Sequence, residues 1–192
     1  MLIRPGCQCA LARWIGHYRQ VSNQQKASDA DVESQRKLST ILMNLSYAVG
    51  AVGIYFGFGA AFSADSKNFG LFVLLAVGGP TAVGFVRHVI LWRGDAARLG
   101  FAAPDPSWMW EVGFANLAIA CAAILSFVLD WGTNAQAAIA IVMGIYMLGA
   151  AFVHIMSWRS KPAAERKNPV VHVAVPLVYA AMLLYISFCN FT

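Results

Sequence analysis

The chain has 192 residues, 59% of them hydrophobic and 12% charged, with a formal net charge of +5 and a mean hydropathy of +0.59. That apolar share lies above what a water-soluble domain carries and excludes one. The small positive charge on so apolar a chain belongs to a lipid-facing rim and excludes a nucleic-acid surface.

In chain order, residues 10–20 place Leu11, Trp14, Ile15 and Tyr18 at helical spacing, with Arg13, His17 and Arg19 mostly off that stripe. The pattern predicts an amphipathic helix lying on the cytoplasmic leaflet. Residues 22–37 are polar and read as a linker or a helical extension; Ser28, followed by Asp31 and Glu33, suits a helix start, and composition suits disorder equally. Five apolar runs follow, at 40–62, 69–92, 110–131, 135–158 and 170–191, each reaching the roughly 20 residues that a helix needs to cross a bilayer core. Short alternating segments, the mark of a barrel, are absent. The division is therefore residues 1–39, a cytoplasmic amphipathic segment and linker, and residues 40–192, a transmembrane helical domain.

Within these runs the punctuation is informative. Gly50, Gly53 and Gly57 share one side of the first helix, where small residues let two backbones approach closely; packing within the chain is favoured over homodimerisation. Gly78-Gly79-Pro80 predicts a kink near the middle of the second. Residues 94–109 form the longest connection between helices, with an Arg-Gly-Asp that carries no adhesive meaning on a cytoplasmic side. Trp108 and Trp110 open the third helix as an interfacial belt, with Glu111 suited to its helix dipole. The fifth run begins after Asn168-Pro169 and places His172, Pro176 and Tyr179 on one face.

An internal repeat organises the rest. His88-Val-Ile-Leu-Trp-Arg93 returns as His154-Ile-Met-Ser-Trp-Arg159, and one helix upstream Asn44-Leu-Ser-Tyr aligns with Asn116-Leu-Ala-Ile. The repeat predicts two tandem hairpins forming a four-helix bundle, with the fifth helix left over. Thirteen of the fourteen Lys and Arg residues fall on one side of these spans and Lys67 alone on the other. Positive charge marks the inside, so the N-terminus is placed in the cytoplasm and the C-terminus outside. Cys7, Cys9, Cys121 and Cys189 are scattered across that topology and make no disulfide framework; Cys7-Gln-Cys9 lacks the second ligand pair of a metal site.

With the topology set, Asn44, Arg87, His88, Glu111, Asn116, His154 and His172 all fall in the cytoplasmic half. Polar residues inside a membrane are costly and are functional candidates by default. They predict a pocket open to the cytoplasm, walled by His88, His154, Glu111, Asn44 and Asn116, with Arg87 and His172 near its mouth. His88 and His154 each precede a Trp-Arg by four residues, which sets them at equal depth facing each other if the hairpins are related by a two-fold axis. Such a pocket suits a metal ion held by His88, His154 and Glu111, a b-type haem between two histidines, or a quinone or lipid head group. The plainer reading is that the histidines reach head groups near the interface, since they lie on three helices without local ligand spacing.

At Glu111-Val-Gly-Phe-Ala-Asn-Leu117, Gly144-Ile-Tyr146 and Ala151-Phe-Val-His-Ile155 the chain resembles a family of small bacterial inner-membrane proteins of unknown function. The resemblance runs from about Gly79 to Phe188, and the general plan is similar to DoxX-like four-helix membrane proteins, an analogy of fold alone. It implies a multi-pass protein of the bacterial inner membrane.

The sequence thus reads as an all-α polytopic membrane protein of five transmembrane helices with an N-terminal interfacial helix. Its expected role is a non-enzymatic structural or accessory subunit without a cofactor, whose partners are the lipid bilayer and other membrane proteins or copies of itself. The alternative is a metal-, haem- or quinone-binding redox protein using the His/Glu pocket.

Overall fold

A computed structural model describes residues 5–63, 65–101, 105–160, 162 and 170–191, with side chains from residue 28 onward except at 171 and 172. The helices are α1 (Pro5–Ser63), α2 (Ser66–Phe72), α3 (Gly79–Phe85), α4 (Trp92–Leu99), α5 (Ser107–Val128), α6 (Thr133–Ser160) and α7 (Val175–Asn190). Wider π-helical turns occupy Val73–Gly78, Val86–Ile90 and Val170–Ala174. No strand occurs among the described residues. Four stretches are long and apolar enough to cross a bilayer: Ser28–Ser63, Ser66–Ile90, Ser107–Val128 and Thr133–Ser160. A further apolar helix, Val175–Asn190, is shorter.

The first difference from expectation lies in α1. Where the sequence suggests a surface helix, then a linker or a helical extension, and then a membrane helix, the backbone is one helix of 59 residues, about 90 Å at 1.5 Å per residue. No Gly or Pro interrupts residues 17–49, so nothing breaks the hydrogen-bond ladder. Local pairs reinforce the polar part: Glu33 meets Arg36 at 2.8 Å, and Gln35 Nε2 donates to Asp31 Oδ2 at 2.9 Å. The side chains of the expected amphipathic stripe at 10–20, and Cys7 and Cys9, lie outside the described residues.

The Ser66–Ile90 span, built from α2, α3 and two π turns, is the central element. Half of its most apolar window is buried inside the protein, against 22–28% for the other three spans. It packs on α1 and α5 and reaches α6, while α7 lies against α6 and α1 and closes the bundle. Phe69, Phe72, Val77, Ala123, Ala140 and Ile186 form the core where these helices meet. The fifth helix is therefore no appendage, as its lack of a counterpart in the repeat suggests. Leu183, Ile186 and Ser187 of α7 are fully buried.

The reason α7 docks there is visible at the proline. In an α-helix the N–H of residue 80 would bond the carbonyl of Ala76, and Pro80 has none. The chain widens into the π turn Val73–Gly78, where Gly79 N bonds Leu74 O, and the Tyr179 hydroxyl of α7 donates to Ala76 O. The tyrosine fits because Gly50 faces it: a Cβ at Gly50 would stand 2.6 Å from its hydroxyl. Tyr179→Phe removes that donor and leaves a carbonyl unsatisfied in a dry interior. The expected cost is about 1–3 kcal/mol, read as a lower midpoint in detergent-induced unfolding. A midpoint within error of the wild type would show that the carbonyl finds another donor.

Candidate functional site

The second π turn, Val86–Ile90, carries Arg87 and His88 and ends the span. Leu91 then leaves helical geometry (φ −103°, ψ 27°), and α4 turns back along α1 instead of entering a loop. The approach is close because residue 94 is glycine: a Cβ there would lie 2.4 Å from Arg36 N and from Gln35 C of α1. Helix α4 stops at Gly100 in the left-handed region (φ 76°), with Gly100 N and Phe101 N both bonded to Ala96 O at 2.8 and 3.0 Å. The expected loop at 94–109 is thus half a helix, and its Arg-Gly-Asp is a packing motif.

Asp95 is the product of that turn. Its side chain is fully buried, and its Oδ1 accepts from Arg87 Nη2 at 2.9 Å, from Arg98 Nε at 2.9 Å and from the Ser39 hydroxyl of α1. Both arginines also reach Ser39 Oγ at 3.3 Å. His88 Nδ1 stands 2.9 Å from Asp95 Oδ2, yet neither of these buried atoms has a hydrogen-bond partner with proper direction. We read the contact as electrostatic, because a bond needs alignment as well as distance. Burial pushes the Asp95 carboxyl up, but His88 and the charges of Arg87 and Arg98 outweigh it and hold the group well below the usual carboxylate range. Burial, and then the neighbouring Arg87, lower the Arg98 guanidinium against the pull of Asp95. Among the described residues, one carboxylate thus serves two guanidiniums and an imidazole.

Beside this cluster a cavity of about 610 Å³ runs between α1, α3, α5, α6 and α7. Arg87, His88, Arg98 and His154 line it, with Phe101 and Trp108 in edge-to-face contact at 5.4 Å and Phe101 stacked on His154 at 6.0 Å. Met43, Pro80, Val112, Met143, Met147 and Pro176 supply its apolar wall. Asn116 also lines it, with Nδ2 donating to Val112 O at 2.8 Å and to the Tyr146 hydroxyl at 3.1 Å.

Of the residues singled out from sequence, Arg87, His88, Asn116 and His154 therefore face one space. Glu111 and Asn44 do not: both are exposed on the outer surface of the bundle and line no part of the cavity. The His172 side chain lies outside the described residues. The proposed metal set of His88, His154 and Glu111 is not assembled, and no group of three His, Cys, Asp or Glu able to hold a metal occurs among the described residues. Helical rotation explains this, since Glu111 is one residue from Val112 and about 100° around the helix from it.

The two copies of H-x-x-x-W-R also differ in build. In the first, the break at Leu91 separates His88 from Trp92-Arg93, which belong to α4, where Arg93 sits over the Trp92 ring at 5.1 Å. In the second, His154 and Trp158-Arg159 are continuous in α6. The aligned asparagines part likewise, Asn116 buried and Asn44 exposed. Asp95, Arg98 and Ser39 are residues of this cluster that sequence reasoning passed over. One signal was present: Asp95 and Arg98 stand three apart just before Leu99-Gly100, the pattern of a short capped helix.

No curated protein and no solved structure matches this chain. A model for a family of unknown function, DUF6790, matches residues 38–190, a stretch that takes in Ser39, Asp95 and every residue lining the cavity. The chain accordingly belongs to the DUF6790 family, a family of unknown function.

Proposed function

We propose that this is an integral membrane protein that binds one small molecule in the cavity between its helices. The observation that carries the reading is the cavity itself. In a bundle with helix contacts close enough to require glycine, about 610 Å³ stays open, within the range of small-molecule sites, and it is largely apolar with basic groups at one end and Asn116 and Tyr146 further in. The apolar spans supply the bilayer setting. The charge asymmetry supports a cytoplasmic position for the α4 end and a bacterial inner-membrane location. The π turn at Val170–Ala174 and α7 together give roughly 30 Å of helix, enough for a fifth crossing.

The accessory-subunit reading has one observation of its own. Helix α1 is about three times as long as the bilayer core is thick, so its polar half projects as an arm that a partner can engage. The metal form of the redox alternative has no such support, because His88, His154 and Glu111 are not brought together.

Cavity filling tests the main reading. Ala150 lines the cavity from α6, and Ala150→Phe occupies the space with a benzyl group. Native mass spectrometry of the protein purified in mild detergent is expected to show a retained small molecule at one per chain, lost in Ala150→Phe while the variant stays monodisperse. An identical spectrum for both proteins would sink the cavity reading. If deleting residues 1–35 strips co-purifying proteins and leaves that small molecule in place, the arm works independently of the cavity.

A further inference from the structure

We propose that the cavity takes a single-chain amphipath with an anionic head, a carboxylate or phosphate, seated against Arg87 at the α4 end with its chain running toward Pro80 and Met143. The proposal rests on the cavity being a ligand site and adds the chemical class.

Three features of the site point there. The first is charge. Asp95 places one carboxylate among two guanidiniums, whose side chains are only 11% and 10% exposed, and an imidazole. A buried guanidinium such as Arg87 beside an apolar cavity is costly, and an anion brought by a ligand relieves that cost. The second is unspent hydrogen-bonding capacity. Arg87 commits Nε and Nη2 to Asp95 and Ser39, and its Nη1 has no partner among the described residues, although the residue lines the cavity. A guanidinium edge of that kind suits a carboxylate or phosphate oxygen, and Asp95 and Ser39 hold it in place beforehand.

The third feature is shape. Along α6 the lining runs from His154 back to Met143, eleven residues or about 16 Å, close to half the thickness of a bilayer core. Over that length the wall passes from Arg87, His88, Arg98 and His154 to Pro80, Met147 and Met143, where the polar groups are the uncharged Asn116, Tyr146 and Tyr179. The volume suits one acyl chain and not a two-chain lipid. A neutral quinone would leave the charge where it is, and a cationic amphipath would add to it.

The experiment uses the full-length protein in nanodiscs of neutral phosphatidylcholine, with empty nanodiscs subtracted, and radiolabelled dodecanoate as the probe. Unlabelled dodecanoate, dodecyl phosphate, dodecanol and dodecyltrimethylammonium then compete. At least one of the two anions is expected to compete tenfold or more better than dodecanol, the low end for a charge-assisted hydrogen bond. Whichever anion is the stronger tells a fatty-acid source from a lysophospholipid source. Arg87→Gln should erase the preference for an anion over dodecanol.

Because that variant loosens Asp95, the wild-type head-group series stands as a test that needs no substitution. Dodecanol matching the anions, or dodecyltrimethylammonium surpassing them, overturns the anionic class and leaves the cavity reading intact. No saturable binding of any chain to the wild type, with Ala150→Phe indistinguishable from it, overturns both.

Discussion

Asp95→Asn is expected to destabilise the bundle by about 3–5 kcal/mol, the range for removing one partner of a buried ion pair. The side chain is 0% exposed, and it joins α4 to the Ser66–Ile90 span through Arg87 and to α1 through Ser39. An amide keeps the volume but withdraws the charge that two guanidiniums share, and it brings N–H groups toward other donors. The measurement is unfolding by graded addition of sodium dodecyl sulfate to mixed micelles at pH 7. Asp105→Asn, at an exposed carboxylate outside the cluster, is the control and should stay within about 0.5 kcal/mol. Equal midpoints for the two variants would refute the ion-pair account.

The same carboxylate sets a pH dependence whose sign follows from its depressed folded-state value. In the unfolded chain an aspartate titrates near pH 4, so the stabilisation is complete above that region. It is lost progressively as pH falls from there toward the lower folded-state value, because the unfolded chain then takes up the proton first. The wild type should therefore lose its margin over Asp95→Asn on acidification below about pH 4 and keep it unchanged from pH 6 to 8. A margin that widens on acidification would contradict the assignment.

The second large effect is expected at Gly53. A Cβ there would fall 2.3 Å from the Ala76 backbone nitrogen and 2.8 Å from Leu75 C, so the neighbour is main chain and has no rotamer with which to yield. Gly53→Val must separate α1 from the π turn at Val73–Gly78 and with it disturb the Tyr179 bond to Ala76. Overpacking costs about 1–3 kcal/mol and sometimes more. Gly59 lies six residues on along the same helix, and a Cβ there would meet only the Asn68 amide at 3.6 Å. Gly59→Ala should then be neutral or slightly stabilising, since alanine lowers the backbone entropy of the unfolded chain. Comparable losses at both glycines would show that the close approach at Gly53 is not what sets the cost on this face.

These two sites show how far the sequence could be read. Gly50, Gly53 and Gly57 are legible as an interface because small residues at that spacing have one use in lipid. The identity of the facing helix is not, as it depends on how Pro80 re-registers the second span. Arg87, His88, Asn116 and His154 stand out as polar residues in apolar runs, and they line one cavity. Glu111 and Asn44 stand out for the same reason and face outward. Hydropathy reports depth along a helix, and rotation about its axis is settled only by what packs against it. Asp95 sat in a polar stretch where a charged residue looks ordinary, so nothing about its composition marked it.

By itself the sequence determined the membrane setting, the apolar spans and the small-residue face, because lipid forces every backbone polar group into local hydrogen bonds and makes length and composition sufficient signals. The structure chose, between the linker and the helical extension that the sequence left open, the unbroken α1, and it alone decided that α7 seals the core through Tyr179. It alone also decided that α4 folds back to bury Asp95 between two arginines. The last two outcomes depend on contacts between residues tens of positions apart, Tyr179 with Ala76 and Asp95 with Ser39, and such contacts are set by packing geometry that no local pattern encodes.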